Sequence, residues 1–126
     1  MHLLASRGDQ GTASVTIQSL LEASLRMRPD RLLVGEVRGS EAFAFLRAIN
    51  TGHPGSMSTV HADTPIGAYE QLAMMVMQSG LSAAYPKADL ISYIQSVIPI
   101  VIQLRREGGR RGVSEIFFAR GREDAP

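Results

Sequence analysis

The chain has 126 residues, of which 44% are apolar and 20% are charged, so it is long enough to form one domain with a buried core. Its net charge of +1 gives no argument for a nucleic acid or an anionic membrane as partner, and the absence of cysteine excludes disulfides and thiolate metal sites. The longest apolar run, residues 97–102, is interrupted by Pro99 and is too short to cross a membrane.

The first third of the chain predicts a loop, a strand, a helix and a second strand. Residues 1–12 show no periodicity, whereas residues 13–17 alternate and include β-branched side chains, which predicts a short strand. A helix is predicted from Gln18 until Pro29 stops it. The consecutive apolar residues 32–34 then predict a parallel strand covered on both faces.

The next segment predicts a helix and a further strand. Ser40 is a suitable N-cap, Glu41 favours the positive end of the helix dipole, and Gly52 is the expected stop. Residues 56–60 predict a strand that ends at His61. The alternation of strands and helices predicts an α/β sheet with covering helices.

The second half predicts two helices. Thr64 and Pro65 are a typical helix start, and Gly80 is the expected end. The apolar stripe of this helix is predicted to comprise Ile66, Tyr69, Leu72, Ala73 and Val76. A methionine cluster (Met74, Met75 and Met77) widens the apolar surface; core filling is the more common role of such a cluster, and an adaptable interface is the alternative. Another helix is predicted between Pro86 and Pro99.

The C-terminal region predicts a β-hairpin. Two strand-like runs, residues 100–104 and 112–118, are joined by a turn at residues 107–109, and we expect the hairpin to be antiparallel and appended to the sheet edge. Arginines near the turn form a small basic patch that we interpret as a solvated hairpin tip. Residues 121–126 are predicted to be disordered.

Two of the predicted strands end in polar residues that are candidates for chemistry. Glu36 follows the first of them, with Arg38 two residues on, and a carboxylate there can orient a water or reach a metal-bound phosphate. A solvated glutamate at a strand end is an equally plausible alternative from this stretch alone. For His61 the alternative is a capped or core histidine. His53 lies in a Gly-Pro turn, and with no third ligand His53 and His61 do not make a metal site.

Two motifs in order then resemble one family. Residues 25–39, LRMRPDRLLVGEVRG, resemble the Walker B region of the bacterial secretion traffic ATPases, and residues 51–63, TGHPGSMSTVHAD, resemble their His box. Within that superfamily, residues 44–50 and 70–76 are most similar to the VirB-type DNA-transfer ATPases of type IV secretion and conjugation. Pilus-assembly relatives are an alternative. The likeness runs from about Val15 to Phe118.

This resemblance implies a partial RecA-like P-loop NTPase fold in a cytoplasmic ring hexamer, peripheral at the inner membrane through other components of the secretion machinery. It implies that ATP hydrolysis with Mg²⁺ drives substrate transfer or pilus assembly. Glu36 corresponds to the glutamate that polarises the attacking water and supports the Mg²⁺ shell through water. His61 corresponds to a sensor of the γ-phosphate or a link to the subunit interface, and Arg38 to a phosphate or interface contact. Arg26 and Arg28 are candidate interface arginines or a solvated pair.

The phosphate-binding loop of this family, Gly-x-x-x-x-Gly-Lys-Ser/Thr, does not occur in the 126 residues, whose one lysine is Lys87. We therefore predict that residues 1–120 are the C-terminal portion of a RecA-like ATPase domain and that the isolated chain does not hydrolyse ATP. The alternative is a non-catalytic oligomerisation or partner-binding fragment, whose apolar surfaces pair with other copies. A third reading, a RecA-like DNA-binding module, is disfavoured because there is no clear basic face.

Overall fold

A computed structural model of the protein describes residues 15–80 and 85–119, which form four helices and four strands. In chain order they are α1 (Ile17–Arg26), β1 (Leu33–Val34), α2 (Glu41–Asn50), β2 (Met57–Ser58), α3 (Pro65–Gln78), α4 (Lys87–Val97), β3 (Ile100–Glu107) and β4 (Arg110–Phe118). The chain divides after Thr59 into two compact units, the first holding α1 to β2 and the second α3 to β4. The predicted N-terminal loop and the tail at residues 121–126 lie outside the described residues.

Helix α1 begins at a reciprocal cap. The Thr16 hydroxyl accepts a hydrogen bond from the Ser19 backbone N–H at 3.0 Å, and the Ser19 hydroxyl accepts one from the Thr16 N–H at 3.1 Å. This pair satisfies two N–H groups that a helix start otherwise leaves open. The predicted strand at residues 13–17 is therefore wrong at its end, because Ile17 is the first residue of a helix; Ala13 and Ser14 lie outside the described residues.

The predicted parallel pairing is present, but the strands are shorter than expected. Leu33 pairs with Met57 and Val34 with Ser58 in a parallel register. Leu32 is buried beside this pair, whereas Leu33 is 77% exposed, so the expectation of a strand covered on both faces is wrong. Side chains alternate along a strand, and in this two-residue strand the Leu33 side chain lies on the open face.

The core of the first unit lies where α1 packs against α2. Its buried apolar side chains are Leu21, Leu32, Val37, Ala42, Phe45, Leu46 and Ala48. A short series of hydrogen bonds joins the end of α2 to the start of β1. His53 Nδ1 lies 3.0 Å from the Ala48 carbonyl oxygen, the Ser56 hydroxyl donates to the His53 carbonyl, and the Leu32 N–H donates to the Ser56 hydroxyl. His53 therefore holds the Gly-Pro turn in which the sequence places it.

The core of the second unit is organised around Tyr69 on α3, whose side chain is fully buried. Its hydroxyl donates a hydrogen bond of 2.8 Å to the Ile98 carbonyl at the end of α4, and its ring meets Phe117 of β4 edge-on with centroids 6.0 Å apart. Burial raises the pKa of Tyr69 further above neutral pH, where a phenol is already protonated, and the hydroxyl is a donor. Ile94 of α4 is also fully buried, which contributes about 2 kcal/mol.

Helix α3 starts as predicted, because the Thr64 hydroxyl accepts the Gly67 N–H at 3.0 Å and Pro65 occupies the first turn. Its buried face carries Tyr69, Leu72, Ala73 and Val76, as the periodicity predicts. Ile66, however, is 50% exposed and does not belong to that face. Met74 and Met77 are also exposed, so the prediction that the methionine cluster fills the core is wrong for these two residues.

The C-terminal hairpin is antiparallel, as predicted, with a turn at Gly108 and Gly109 in the left-handed region. In the described part of the chain it forms a two-stranded sheet of its own and is not appended to the edge of the β1–β2 sheet. A β-bulge interrupts the pairing: Gln103 pairs with Glu115 but Leu104 pairs with Val113, so Ser114 is the extra residue.

One face of the hairpin is apolar and exposed. Three cross-strand pairs lie along it (Ile100 with Phe118, Ile102 with Ile116 and Leu104 with Val113). Their side chains are between 49% and 66% exposed, whereas Val101 and Phe117, on the opposite face, are partly buried. Arg106 and Arg111 pair beyond the apolar residues at the hairpin tip. Among the helices that the structure describes, none has the length and apolar character needed to cross a membrane.

Candidate functional site

Glu36 follows β1, and its backbone is held on both sides by one residue. The Thr59 hydroxyl donates a hydrogen bond of 2.7 Å to the Gly35 carbonyl, and the Val37 N–H donates one of 3.0 Å to the Thr59 carbonyl. Thr59 directly follows β2, so these bonds extend the parallel pairing beyond the two strands. They fix the peptide groups before and after Glu36 and thereby the direction in which its side chain leaves the chain.

The Glu36 carboxylate forms an ion pair with Arg38. Both Nε and Nη2 of the guanidinium contact Oε2 of Glu36. The pKa of Arg38 is raised above its ordinary value, first by the hydrogen bond it donates to Glu36 and then by the negative charge of that carboxylate. The Arg38 side chain is 60% exposed and that of Glu36 is 20% exposed, so the pair lies at the surface with its carboxylate partly covered.

A second carboxylate, Glu41 at the start of α2, shapes the turn that carries Arg38. Its Oε1 accepts hydrogen bonds from the backbone N–H groups of Arg38 at 2.7 Å and Gly39 at 3.1 Å. Glu41 is buried, with 9% of its surface exposed. Ser40, the predicted N-cap, makes no side-chain cap bond. The reason is geometric: Ser40 has helical backbone angles, so the longer Glu41 side chain supplies the acceptor.

His61 belongs to the second unit, where it lies exposed on the loop before α3. The residues that follow His61 on this loop are held by hydrogen bonds. The Gln103 side-chain amide donates to the Ala62 carbonyl at 3.2 Å, and Thr64 caps α3 three residues after His61. The structure thus brings Glu36 and Arg38 together, while a shared site between these two residues and His61 stays a prediction.

The other candidates are simpler to place. Arg26 lies in the last turn of α1, where a cation suits the helix dipole, and Arg28 adopts a left-handed conformation just before Pro29. Both are exposed, as either of their predicted roles requires. Among residues 15–80 and 85–119, no group of three or more acidic, histidine or cysteine side chains could hold a metal ion.

The chemistry available at this site is that of one partly covered carboxylate with a cation beside it. A carboxylate of this kind can accept a proton from water or orient a water by hydrogen bonding. A single carboxylate also suits Mg²⁺, which keeps several of its waters and is bound through one or two carboxylates and substrate phosphates. The guanidinium of Arg38 offers donors suited to a phosphate or a carboxylate.

Comparison with known families identifies the group to which these motifs belong. Residues 5–116 match the family described as "Type II/IV secretion system protein". That match spans most of the 126 residues. The chain belongs to this family. The sequence-based resemblance to secretion traffic ATPases is therefore confirmed at the level of the family.

Individual members of the Type II/IV secretion family share this region. The chain is 42% identical over 116 residues to the type IV secretion system protein VirB11 of Bartonella quintana, covering 92% of this chain and 33% of that protein. It is 41% identical over 125 residues to the type IV secretion system protein PtlH of Bordetella pertussis, covering 96% and 37% respectively. The chain thus spans about a third of the length of these relatives.

A solved structure shows the same fold. The crystal structure of the VirB11 ATPase from the Brucella suis type IV secretion system, in complex with sulphate, superposes with a TM-score of 0.76 at 33% sequence identity. The match covers 82% of this chain and 33% of that one. The α/β architecture of this family member is therefore that of part of a VirB11-type ATPase, as the predicted fold class requires.

The sequence does not single out three residues that hold the segments around the candidates, Thr59 and Glu41 in the first unit and Gln103 in the second. Thr59 lies in the second motif and in a predicted strand, but neither pattern indicates that it contacts the residues around Glu36. Glu41 was assigned to the helix dipole, whereas in the structure it holds the turn of Arg38. Gln103 gave no signal, since its bond to Ala62 joins residues 41 positions apart. An acidic residue three positions after Arg38 could have suggested the capping role.

Proposed function

We propose that this chain is the part of a type IV secretion ATPase that supplies the water-polarising glutamate, Glu36, and the histidine of the second motif, His61. In the complete protein these residues serve ATP hydrolysis that drives substrate transfer or pilus assembly. The observation that carries the proposal is the direct contact between the two motifs: Thr59 of the second motif is hydrogen-bonded on both sides of Glu36 of the first.

The roles of the individual groups follow from phosphoryl-transfer chemistry, which depends on positioning and charge neutralisation. Glu36 orients the attacking water and accepts its proton. Arg38 offers its guanidinium to a phosphate or to a neighbouring subunit, and His61 responds to the terminal phosphate or to the subunit interface. Mg²⁺, when bound, neutralises phosphate charge and contacts Glu36 through water. The proposed assembly is a ring hexamer on the cytoplasmic face of the inner membrane.

The test is a graft into a longer relative, because the phosphate-binding loop motif is absent from these 126 residues. The aligned third of the Brucella suis VirB11 ATPase is replaced by this chain, and Mg-ATP hydrolysis is measured for the graft, the parent and the isolated chain. We expect the graft to retain at least about a tenth of the parent rate. We expect no turnover by the isolated chain. A folded graft without activity, or Mg-ATP turnover by the isolated chain, contradicts the proposal.

A second candidate function, self-association, is favoured by the apolar face of the hairpin. Six half-exposed side chains of this size present about 100 Å² each, so two copies packed face to face bury roughly 1,200 Å² in total. That area is at the lower end for specific interfaces. An antiparallel arrangement keeps the two arginine-bearing tips apart, which avoids like-charge repulsion.

This candidate predicts that the isolated chain is a dimer and that Ile102→Lys dissociates it. Ile102 lies in the middle of the apolar face, and a lysine buried there weakens association at least about 30-fold. Light scattering coupled to size-exclusion chromatography measures the mass over a concentration series. Met77→Lys, which changes an exposed apolar residue on α3, is the matched control and leaves the dimer intact. A monomeric wild-type chain, or a dimer that survives Ile102→Lys, overturns this function.

A further inference from the structure

We infer that Glu41 is a positioning residue for the Glu36–Arg38 pair. The inference rests on the proposed function for its catalytic consequence, but its structural basis stands on its own. Glu41 is buried, and one of its oxygens accepts two backbone N–H groups, those of Arg38 and Gly39. An acidic residue at a helix start often reaches back three positions to a backbone N–H, and here the residue that it reaches, Arg38, also holds Glu36.

The connection to the site runs through Arg38. Its backbone N–H is held by Glu41 and its guanidinium holds Oε2 of Glu36. The Arg38 side chain is largely exposed, so few packing contacts fix its direction. The backbone hydrogen bonds to Glu41 therefore fix the main chain from which the Arg38 side chain extends. They thereby set the position from which the guanidinium contacts the Glu36 carboxylate.

Thr59 and Glu41 hold different parts of the loop after β1. Thr59 fixes the peptide groups on either side of Glu36, and Glu41 fixes the two N–H groups that follow Val37. Within residues 35–39, the backbone groups of Gly35, Val37, Arg38 and Gly39 are thus hydrogen-bonded by two residues outside the segment, Thr59 and Glu41. In this arrangement, loss of Glu41 frees the Arg38 end of the loop and leaves the Glu36 backbone in place. The expected defect is a misdirected ion pair in a folded protein.

Substitutions at Glu41 separate positioning from simple helix capping. Glu41→Gln keeps an oxygen that can accept both N–H groups. Glu41→Asp keeps the charge at the start of α2, which favours the helix dipole, but its side chain is one methylene shorter and cannot reach both groups. Glu41→Ala removes both the hydrogen-bond acceptor and the charge. The matched control is Ala48→Gly, which destabilises the same helix by a propensity change without touching the loop.

The first readout is amide hydrogen exchange by NMR on the 126-residue chain, with no nucleotide needed. Exchange at Arg38 and Gly39 is expected to accelerate about 10- to 100-fold in Glu41→Asp and Glu41→Ala, because a charge-assisted hydrogen bond is lost. Glu41→Gln is expected to retain most of the protection, and the Val37 amide, which bonds to Thr59, serves as internal reference. Unchanged exchange at Arg38 and Gly39 in Glu41→Asp, or the same acceleration in Ala48→Gly, overturns the inference.

The second readout is catalysis in the Brucella suis graft. Glu41→Asp is expected to lower kcat about 10- to 100-fold with little change in KM for ATP, and Glu41→Gln to restore most of the rate. Equal kcat in the Glu41→Asp and wild-type grafts overturns the catalytic part of the inference. An inactive wild-type graft counts against the proposed function instead, while the exchange measurement on the isolated chain still decides whether Glu41 holds the loop.

Discussion

Replacing Glu36 with glutamine in the Brucella suis graft is expected to lower kcat for ATP hydrolysis by about 100- to 10,000-fold, the range associated with loss of a positioned general base. The amide has nearly the same shape as the carboxylate but cannot accept a proton from water. It also removes the charge that Arg38 now contacts. KM for ATP is expected to change much less than kcat, because Glu36 acts on the attacking water more than on the bound nucleotide.

The control for this experiment is Glu70→Gln. Glu70 is an exposed carboxylate on α3, in the second unit, and forms an ion pair with Lys87 at 4.0 Å. Its substitution is expected to leave kcat within about a factor of two, as for most surface changes. Retention of more than a tenth of the wild-type rate by Glu36→Gln, with Glu70→Gln unchanged, would rule out Glu36 as the water-polarising residue.

Tyr69→Ala is expected to lower the free energy of unfolding of the chain by about 3–5 kcal/mol, the cost of removing a large buried aromatic side chain. The substitution leaves a cavity between α3, α4 and β4, abolishes the ring contact with Phe117, and leaves the Ile98 carbonyl without its hydrogen-bond donor. Urea unfolding followed by circular dichroism measures the change, and it suits a chain without tryptophan.

Two further tyrosine variants are compared with Tyr69→Ala. Tyr69→Phe keeps the ring and removes only the hydroxyl, so a loss of about 1 kcal/mol is expected. Tyr85 is 65% exposed, and Tyr85→Ala is expected to cost less than about 0.5 kcal/mol. A Tyr69→Ala chain that loses less than Tyr69→Phe would show that Tyr69 does not organise the second unit.

The features that the sequence predicted well are those set by neighbours in the chain. The Thr64–Pro65 helix start and the glycine turn of the hairpin each depend on a few consecutive residues. The parallel pairing of the two short strands also follows, because strand–helix–strand order with apolar strands leaves few other arrangements. For the same reason, Glu36 and Arg38, two residues apart, were correctly expected to lie at one strand end.

The features that the sequence did not predict depend on strand register or on which of two neighbouring residues caps a helix. Ser40 and Glu41 could each cap α2. Because Ser40 has helical backbone angles and makes no cap bond, the Glu41 side chain is the acceptor. Thr59 reaches Gly35 only because the parallel register places them together, and no local pattern specifies that register. Thr16 lies in an alternating run that predicts a strand, but its reciprocal bonds with Ser19 start a helix there. The exposure of Met74 depends on what packs against α3, which periodicity does not report.

The bulge at Ser114 has a consequence for how this hairpin can change over evolution. Side chains on a strand switch faces at every residue, and Ser114 is the one residue of β4 that stands outside this alternation. Without it the ladder becomes regular, Val113 still opposes Leu104, and Arg111 still pairs with Arg106. The bulge thus lets Val113 and Ile116, three positions apart, lie on the same face of the hairpin. Loss of this one residue therefore keeps both surfaces of the hairpin, whereas an insertion elsewhere in β4 that forms no bulge moves the side chains on one side of it to the opposite face. Alignments of this region should therefore tolerate gaps at position 114 more readily than at its neighbours.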